Sequence, residues 1–249
     1  MKNCLLLAFA ALPFAGFAQS KSSEARHSEN ARARTEEVEN GYDVYTFNSR
    51  DKSAKGTPML SSRWQPAEIL LVGNTKRMSA PVKYDIYQHQ LQVRRAQGDS
   101  ILVPATRVQE FAFSQLDARG AEQPRRFVRY ESPALPAELN GTCAEVLSSG
   151  KSLQLLKFWH KRLVKEAENT TNISSTSTIQ RYDENNKYYV RWASDGQLVA
   201  VRPKRGSLKE ALAGHPEALS ALEAQKGPLS TEAELKAAIM AIDEQVSTR

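Results

Sequence analysis

Between residues 56 and 113, short apolar runs are separated by Gly, Pro, Asn and Asp, and no window carries the 3.6-residue period of a helix. In Val82-Lys83-Tyr84-Asp85-Ile86 the apolar residues fall on alternate positions, which puts Val82, Tyr84 and Ile86 on one face of a strand. Ile69-Leu70-Leu71-Val72 is a continuous apolar run, the pattern of a strand buried on both faces or lying where the sheet meets a neighbouring layer. Leu91 with Val93, Ile101 to Val103, and Val108 to Phe113 follow at spacings of about ten residues with turn residues between them. Phe111 and Phe113 share a face. The stretch predicts a meander of four to six short antiparallel strands, preceded by one at Tyr42–Phe47.

The pattern continues downstream. Arg126 to Glu131 reads as a strand, and Ser132-Pro133-Ala134-Leu135-Pro136 as a loop, because two prolines fix φ and remove donors. Cys143 to Leu147 and Leu153 to Phe158 read as strands joined through a turn at Ser148-Ser149-Gly150-Lys151. From Phe158 to Ala167 helix formers accumulate, and the pattern leaves open whether the strand continues or a short helix begins. Glu168 to Thr178 is polar and of low complexity, the composition of a surface loop. Its Asn169 and Asn172 head glycosylation sequons that have no meaning in a bacterial periplasm, the setting preferred for this chain. Lys187–Trp192 and Gln197–Val201 flank Asp195-Gly196, a pair suited to the positive φ angles of a tight hairpin.

Periodicity changes at Gly206. Ser207 with Glu210 and Thr231 with Glu234 each have capping-box spacing, and Pro216 suits the first turn of a helix. Leu235, Ile239, Ile242 and Val246 form one helical stripe. Helices this short need packing partners. The predicted class is therefore α+β, an antiparallel β meander (sandwich or partial barrel) followed by about three short C-terminal helices. The organisation reads as a signal peptide (1–18), a flexible leader with a frayed helical turn near Arg32 to Val38 (19–40), a β-rich domain (41–205) and a helical segment packed on it (206–249).

The first eighteen residues differ from the rest. Lys2 precedes an apolar run from Cys4 to Phe17, and Gly16 and Ala18 supply the small residues of a cleavage site. The run is shorter than the ~20 residues that span a bilayer, so the expectation is export to the periplasm or cell surface after cleavage near Ala18-Gln19. No transmembrane segment is expected in the mature chain. Cleavage leaves Cys143 as the single cysteine, so no internal disulfide can form, and a buried inert thiol is expected there. The net charge of +6, or +5 without Lys2, is spread along the chain rather than clustered, which is not the footprint of a nucleic-acid binder.

The order of features resembles a set of secreted proteins of Bacteroidota with no assigned activity. The residues carrying the likeness are Gly56-Thr57-Pro58-Met59-Leu60 followed by Trp64; Val82 to Tyr87 with Gln90-Leu91-Gln92-Val93; Glu145 to Lys151 running into Leu155-Leu156-Lys157; and the capped tail from Ser207. They are spread over most of Tyr42 to Asp243. Thr142-Cys143-Ala144 departs from the pattern, which usually has aromatic residues before the Glu-Val-Leu. The likeness implies an envelope location and a strand-then-helix order. It implies no catalytic residues.

Motifs for zinc hydrolysis, serine hydrolysis, dithiol chemistry, phosphate cradling and dinucleotide binding are absent from the sequence. No metal site and no cofactor are therefore expected. His27, His89, His160 and His215 are far apart in sequence, with His89 in a hairpin turn. Asp85 and Glu110 exemplify carboxylates that an unassigned hydrolase would use as an acid/base pair, although both fall on strand faces expected to be solvated. The aromatic residues Trp64, Tyr84, Tyr87, Trp159, Tyr188, Tyr189 and Trp192 are candidates for a ligand-binding groove, against the ordinary role of such residues as core. The reading that follows is an exported, non-enzymatic envelope module binding a protein or a glycan, with the hydrolase as alternative.

Overall fold

Where apolar residues alternate, the backbone is extended. The computed structural model describes residues 54–116, 119–168 and 177–248, and the backbone of two short strands before them, β1 (Thr35–Glu37) and β2 (Asp43–Thr46). There follow β3 (Ala54–Lys55), β4 (Gln65–Leu71), β5 (Met78–Asp85), β6 (Gln90–Arg94), β7 (Ser100–Pro104), a 3-10 turn (Ala105–Arg107), β8 (Val108–Leu116) and β9 (Glu122–Arg129). After a loop come β10 (Cys143–Ser149), β11 (Leu153–Phe158), β12 (Lys161–Glu168), β13 (Ser177–Glu184), β14 (Lys187–Trp192) and β15 (Leu198–Val201). Three helices end the chain: α1 (Arg205–Ala211), α2 (Pro216–Ala224) and α3 (Glu232–Ser247). The architecture is α+β, an antiparallel sheet followed by C-terminal helices. The signal sequence and both sequons lie outside the described residues.

Strands of the main sheet lie in the order β1-β2-β7-β6-β5-β4-β8-β9-β10-β11-β14-β15. Only the three residues Ala105–Arg107 join β7 to β8, which that order places four strand spacings apart. In a flat sheet the gap would be about 19 Å, whereas three residues of 3-10 helix advance only about 6 Å. The β7-to-β8 portion must therefore curl until its ends approach. No ladder joins β7 to β8, so the curl is a partial barrel rather than a closed one. Its concave face holds Ile69, Val82, Tyr84, Leu91, Val93, Phe111, Phe113 and Phe127, all buried. Phe111 and Phe127 stack with ring centres 4.6 Å apart.

Beyond β10 the same face is covered by helices. Leu153, Leu155, Val190, Trp192 and Val201 pack against Leu208, Leu212, Leu222, Leu235, Ile239 and Ile242. The reverse face of β10, β11 and β14 is closed by the loop after β9, where Leu135 and Leu139 meet Leu156, Phe158, Tyr189 and Leu198. Between β11 and β14 the chain leaves the sheet as the hairpin β12–β13, and β13 adds β3 in parallel to make a three-stranded side sheet. This settles the open reading of Phe158–Ala167: cross-strand pairing from Lys161↔Glu184 to Glu168↔Ser177 outweighs local helix propensity.

Several local expectations are corrected. Thr35–Glu37 is a strand paired with β2, not a helical turn. The run Ile69–Val72 is not buried on both faces; Ile69 is enclosed, while Val72, past the strand end, is 40% exposed. Helix α1 begins at Arg205, so Ser207 lies inside its first turn and does not cap it; its hydroxyl accepts the Arg202 N–H instead. The β14–β15 loop spans Ala193–Gln197, and only Gly196 takes positive φ (71°), while Asp195 Oδ1 accepts the Gln197 N–H as a local turn. The second capping box is present in both halves, Thr231 with Glu234, and Pro216 opens α2.

Candidate functional site

Residues directly opposite one another in neighbouring strands share a sheet face. One such row runs Ile69↔Phe111↔Phe127↔Glu145↔Lys157↔Tyr188↔Val201 through seven strands from β4 to β15. It is apolar at both ends and ionisable in the middle. The ionisable stretch falls where the curled half gives way to the helix-covered half.

Glu145 and Lys157 are both buried there. Arg125 grips Glu145 with two hydrogen bonds of 2.7 Å, from Nε to Oε1 and from Nη2 to Oε2, and Trp159 Nε1 donates to Glu145 Oε2 at 2.5 Å. The planar fork of an arginine matches a carboxylate in this manner. The Arg125 guanidinium also lies over the rings of Phe127 and Trp159, 5.3 Å from each centre. Lys157 Nζ sits 3.4 Å from the Trp159 ring centre and donates to Glu232 Oε2 at 2.6 Å, and Tyr188 Oη donates to the same oxygen at 2.7 Å. Glu232 reaches this point because the Thr231 cap fixes where α3 begins, and a carboxylate in the first turn also suits the helix dipole. Burial acts to raise the Glu232 pKa, but the hydrogen bonds from Lys157 and Tyr188 outweigh it and hold the pKa below the usual range. Burial, then the bond to Glu232, raises the Tyr188 phenol. Each oxygen of Glu145 is bonded, and each cation has its anion.

A second cluster adjoins it through the residue after Trp159. His89, the only non-glycine residue with positive φ among those described (52°), aims its ring at His160, with Nε2 3.3 Å from His160 Nδ1. The 5.5 Å between ring centres nearly equals that distance plus the two ring radii, so the nitrogens face each other along one line. Tyr84 Oη lies 3.3 Å from His89 Nδ1 and donates to the Cys143 carbonyl, also at 3.3 Å. A phenol has one proton. The chain is therefore directional: His160 Nδ1–H to His89 Nε2, His89 Nδ1–H to Tyr84 Oη, and Tyr84 O–H to the Cys143 carbonyl. Burial and the neighbouring His160 lower the His89 pKa to about 4; burial lowers that of His160 as well. Both rings are neutral near pH 7.

Of the seven predicted aromatic residues, the structure brings Trp159 and Tyr188 together in the charged row and scatters the others. Tyr84 is in the barrel core. Tyr87 meets Tyr182 of the side sheet edge-on. Tyr189 packs on the reverse face. Trp192 lies under the helices, stacked on His215 at 3.4 Å. Trp64 holds the cations of Lys83 and Arg94 at 5.0 and 4.4 Å from its ring centre. Asp85 and Glu110 are buried rather than solvated and serve separate purposes: Asp85 Oδ1 accepts the Tyr87 and Gln88 N–H groups, and Glu110 pairs with Arg77 and Arg126. Cys143 is buried, its thiol pushed up to about 12 by desolvation.

Arg125, Glu145, Lys157 and Glu232 were not singled out from sequence as site residues. A signal for two of them exists in the alternation: Leu153 and Leu155 lead to Lys157, and Cys143 leads to Glu145, charges on positions that the pattern assigns to the core face. Among the described residues no three His, Cys, Asp or Glu side chains converge as a metal site. No helix of the described residues is long and apolar enough to cross a membrane. The chain matches no protein-family description, no curated protein and no solved structure.

Proposed function

We propose that the chain is an exported, non-enzymatic module of the cell envelope that binds a protein partner. The observation that carries this reading is how its buried and half-buried ionisable groups are engaged. Glu145 is held by Arg125 and Trp159, Glu232 by Lys157 and Tyr188, and Glu110 by Arg77 and Arg126. Lys161 Nζ donates to the Thr57 and Met59 carbonyls, and Asp243 accepts three backbone N–H groups of the β10–β11 turn. A general acid or base must keep a proton or lone pair available to substrate. These groups instead tie strands, turns and a helix to one another, which is what a rigid binding scaffold requires.

A glycan partner is the second reading, and Trp64 favours it. Its indole has the cations of Lys83 and Arg94 over the ring, and two positive charges gathered on one aromatic residue suit an acidic sugar. The test is affinity purification of the tagged protein, without residues 1–18, from envelope extract of the organism that encodes it. Recovery of one stoichiometric protein supports the module. Turnover of an ester, glycoside or peptide substrate that Glu145→Gln or His160→Asn abolishes overturns it.

A further inference from the structure

The ladder between β9 and β10 stops early. It pairs only Cys143↔Arg129, Ala144↔Val128 and Glu145↔Phe127. Immediately afterwards β10 bulges: its register against β11 shifts between Val146 and Ser148, with Leu147 as the extra residue. A bulge bends and twists its strand, and here β10 diverges from β9. Two stretches face each other across a wedge, Glu122–Arg126 of β9 and Val146–Ser149 of β10, and the β10 stretch has no strand partner on that side among the described residues.

The two edges are not alike. That of β9 carries Glu122, Pro124, Arg125 and Arg126, and charge and proline are how exposed edges are protected from pairing. That of β10 reads Val-Leu-Ser-Ser, with neither. Alongside it, between the β10–β11 turn and α3, runs an open groove of about 750 Å3. Leu147, Ala237, Ile239 and Met240 give it an apolar lining, with Met240 53% exposed, and Lys236 and Glu244 also line it. Ser148 lines it too, and its buried hydroxyl has no hydrogen-bond partner. The groove is held in shape by a lock behind it. Asp243 of α3 accepts the N–H groups of Lys151, Ser152 and Leu153, at 3.1, 2.7 and 2.7 Å. Gly150 passes so close to that carboxylate that a Cβ would overlap it.

We infer that the β10 edge at Val146–Ser149, together with the groove against α3, is a docking site for an extended segment of a partner protein, which adds to the sheet as a strand. The inference rests on the proposed binding function and names the site and the form of the partner. Unpaired strand amides and carbonyls are complemented by another extended backbone, and alternate side chains of that segment would enter the groove against Leu147 and Met240. A folded surface or a sugar would not satisfy a row of backbone groups in this way. The occupant is an uncharged or weakly charged segment with apolar residues at every second position.

The test uses the full mature chain and fluorescent octapeptides in which Thr alternates with Val, Leu or Phe. Binding is read by anisotropy, and amide hydrogen exchange is read at Leu147 to Ser149. At least one peptide should bind and slow exchange at those amides by roughly tenfold or more. Met240→Lys, at an exposed position that leaves the core intact, should weaken binding by about tenfold, with an unchanged unfolding midpoint. Absence of protection at Leu147 to Ser149 with every peptide overturns the site, as does equal binding by Met240→Lys. If one envelope protein co-purifies equally with wild type and Met240→Lys, the binding function stands and the groove is overturned as its site.

Discussion

One face of one sheet is covered in two ways. From β4 to β9 it curls and fills its own concavity with aromatic rings, Tyr84, Phe111, Phe113 and Phe127. From β11 to β15 it stays open and is covered by α1, α2 and α3. The seam between the two halves is enclosed by neither device alone, and it is where the cross-strand row changes from phenylalanine to Glu145 and Lys157. A sheet that changes its mode of coverage midway has a strip that is too enclosed for free charges and too irregular for close apolar packing. Matched ion pairs with an indole between them suit such a strip. They also couple the halves, since Arg125 belongs to the curled half and Glu232 to the helical one.

The largest effect separates the halves through the barrel core. Phe127 is fully enclosed and stacked on Phe111 and Phe113, so Phe127→Ala should lower stability by about 4 kcal/mol. Urea unfolding should remain one transition, because the seam ties the halves together; a split into two transitions would show that they fold independently. On the helical side, Asp243→Ala strands the three turn amides it accepts from and should lower stability by about 3 kcal/mol, read by the same titration.

Acid tests the curled half again. His89 is neutral in the fold with a pKa of about 4, and titrates near 6.5 when unfolded. As pH falls the unfolded chain takes up the proton first, so this contribution to stability is complete above about 6.5 and is lost between about 6.5 and 4. The loss is at most roughly 3 kcal/mol, and His160, lowered in the same direction, adds to it. Unfolding followed from neutral pH down to about 4.5 measures the slope. His89→Asn, an asparagine being tolerated at φ 52°, should flatten it. The smallest effect concerns the placement of Glu232: Thr231→Ala removes the cap of α3 and should lower the stability of the folded chain by about 1 kcal/mol, read as a small fall in urea midpoint.

Much of this arrangement was legible in the sequence, and the remainder has a physical reason. Alternation located most strands of the main sheet, and Thr231-x-x-Glu234 and Pro216 located two helix starts, because these signals are local. The return of β8 to the far side of β4 was not legible, since strand order depends on contacts distant in sequence. The hairpin β12–β13 was left undecided because Lys, Arg and Glu favour helix locally and only pairing overrides them. The charged row required the register of six ladders, from β4–β8 through β14–β15, so Arg125 and Glu232 carried no mark in the sequence. Ser207 misled because capping-box spacing at Ser207 and Glu210 occurs inside the first turn of a helix that starts at Arg205.

The central claim is that the paired charges at the seam hold the two halves together. A double-mutant cycle on Arg125→Met and Glu145→Leu, followed by urea unfolding, tests it most directly. Each single variant leaves a buried charge without its partner and should lose about 3 kcal/mol, while the double variant should recover much of that loss, a coupling of about 2 kcal/mol or more. Single variants as stable as the wild type, with additive effects in the pair, would contradict the account.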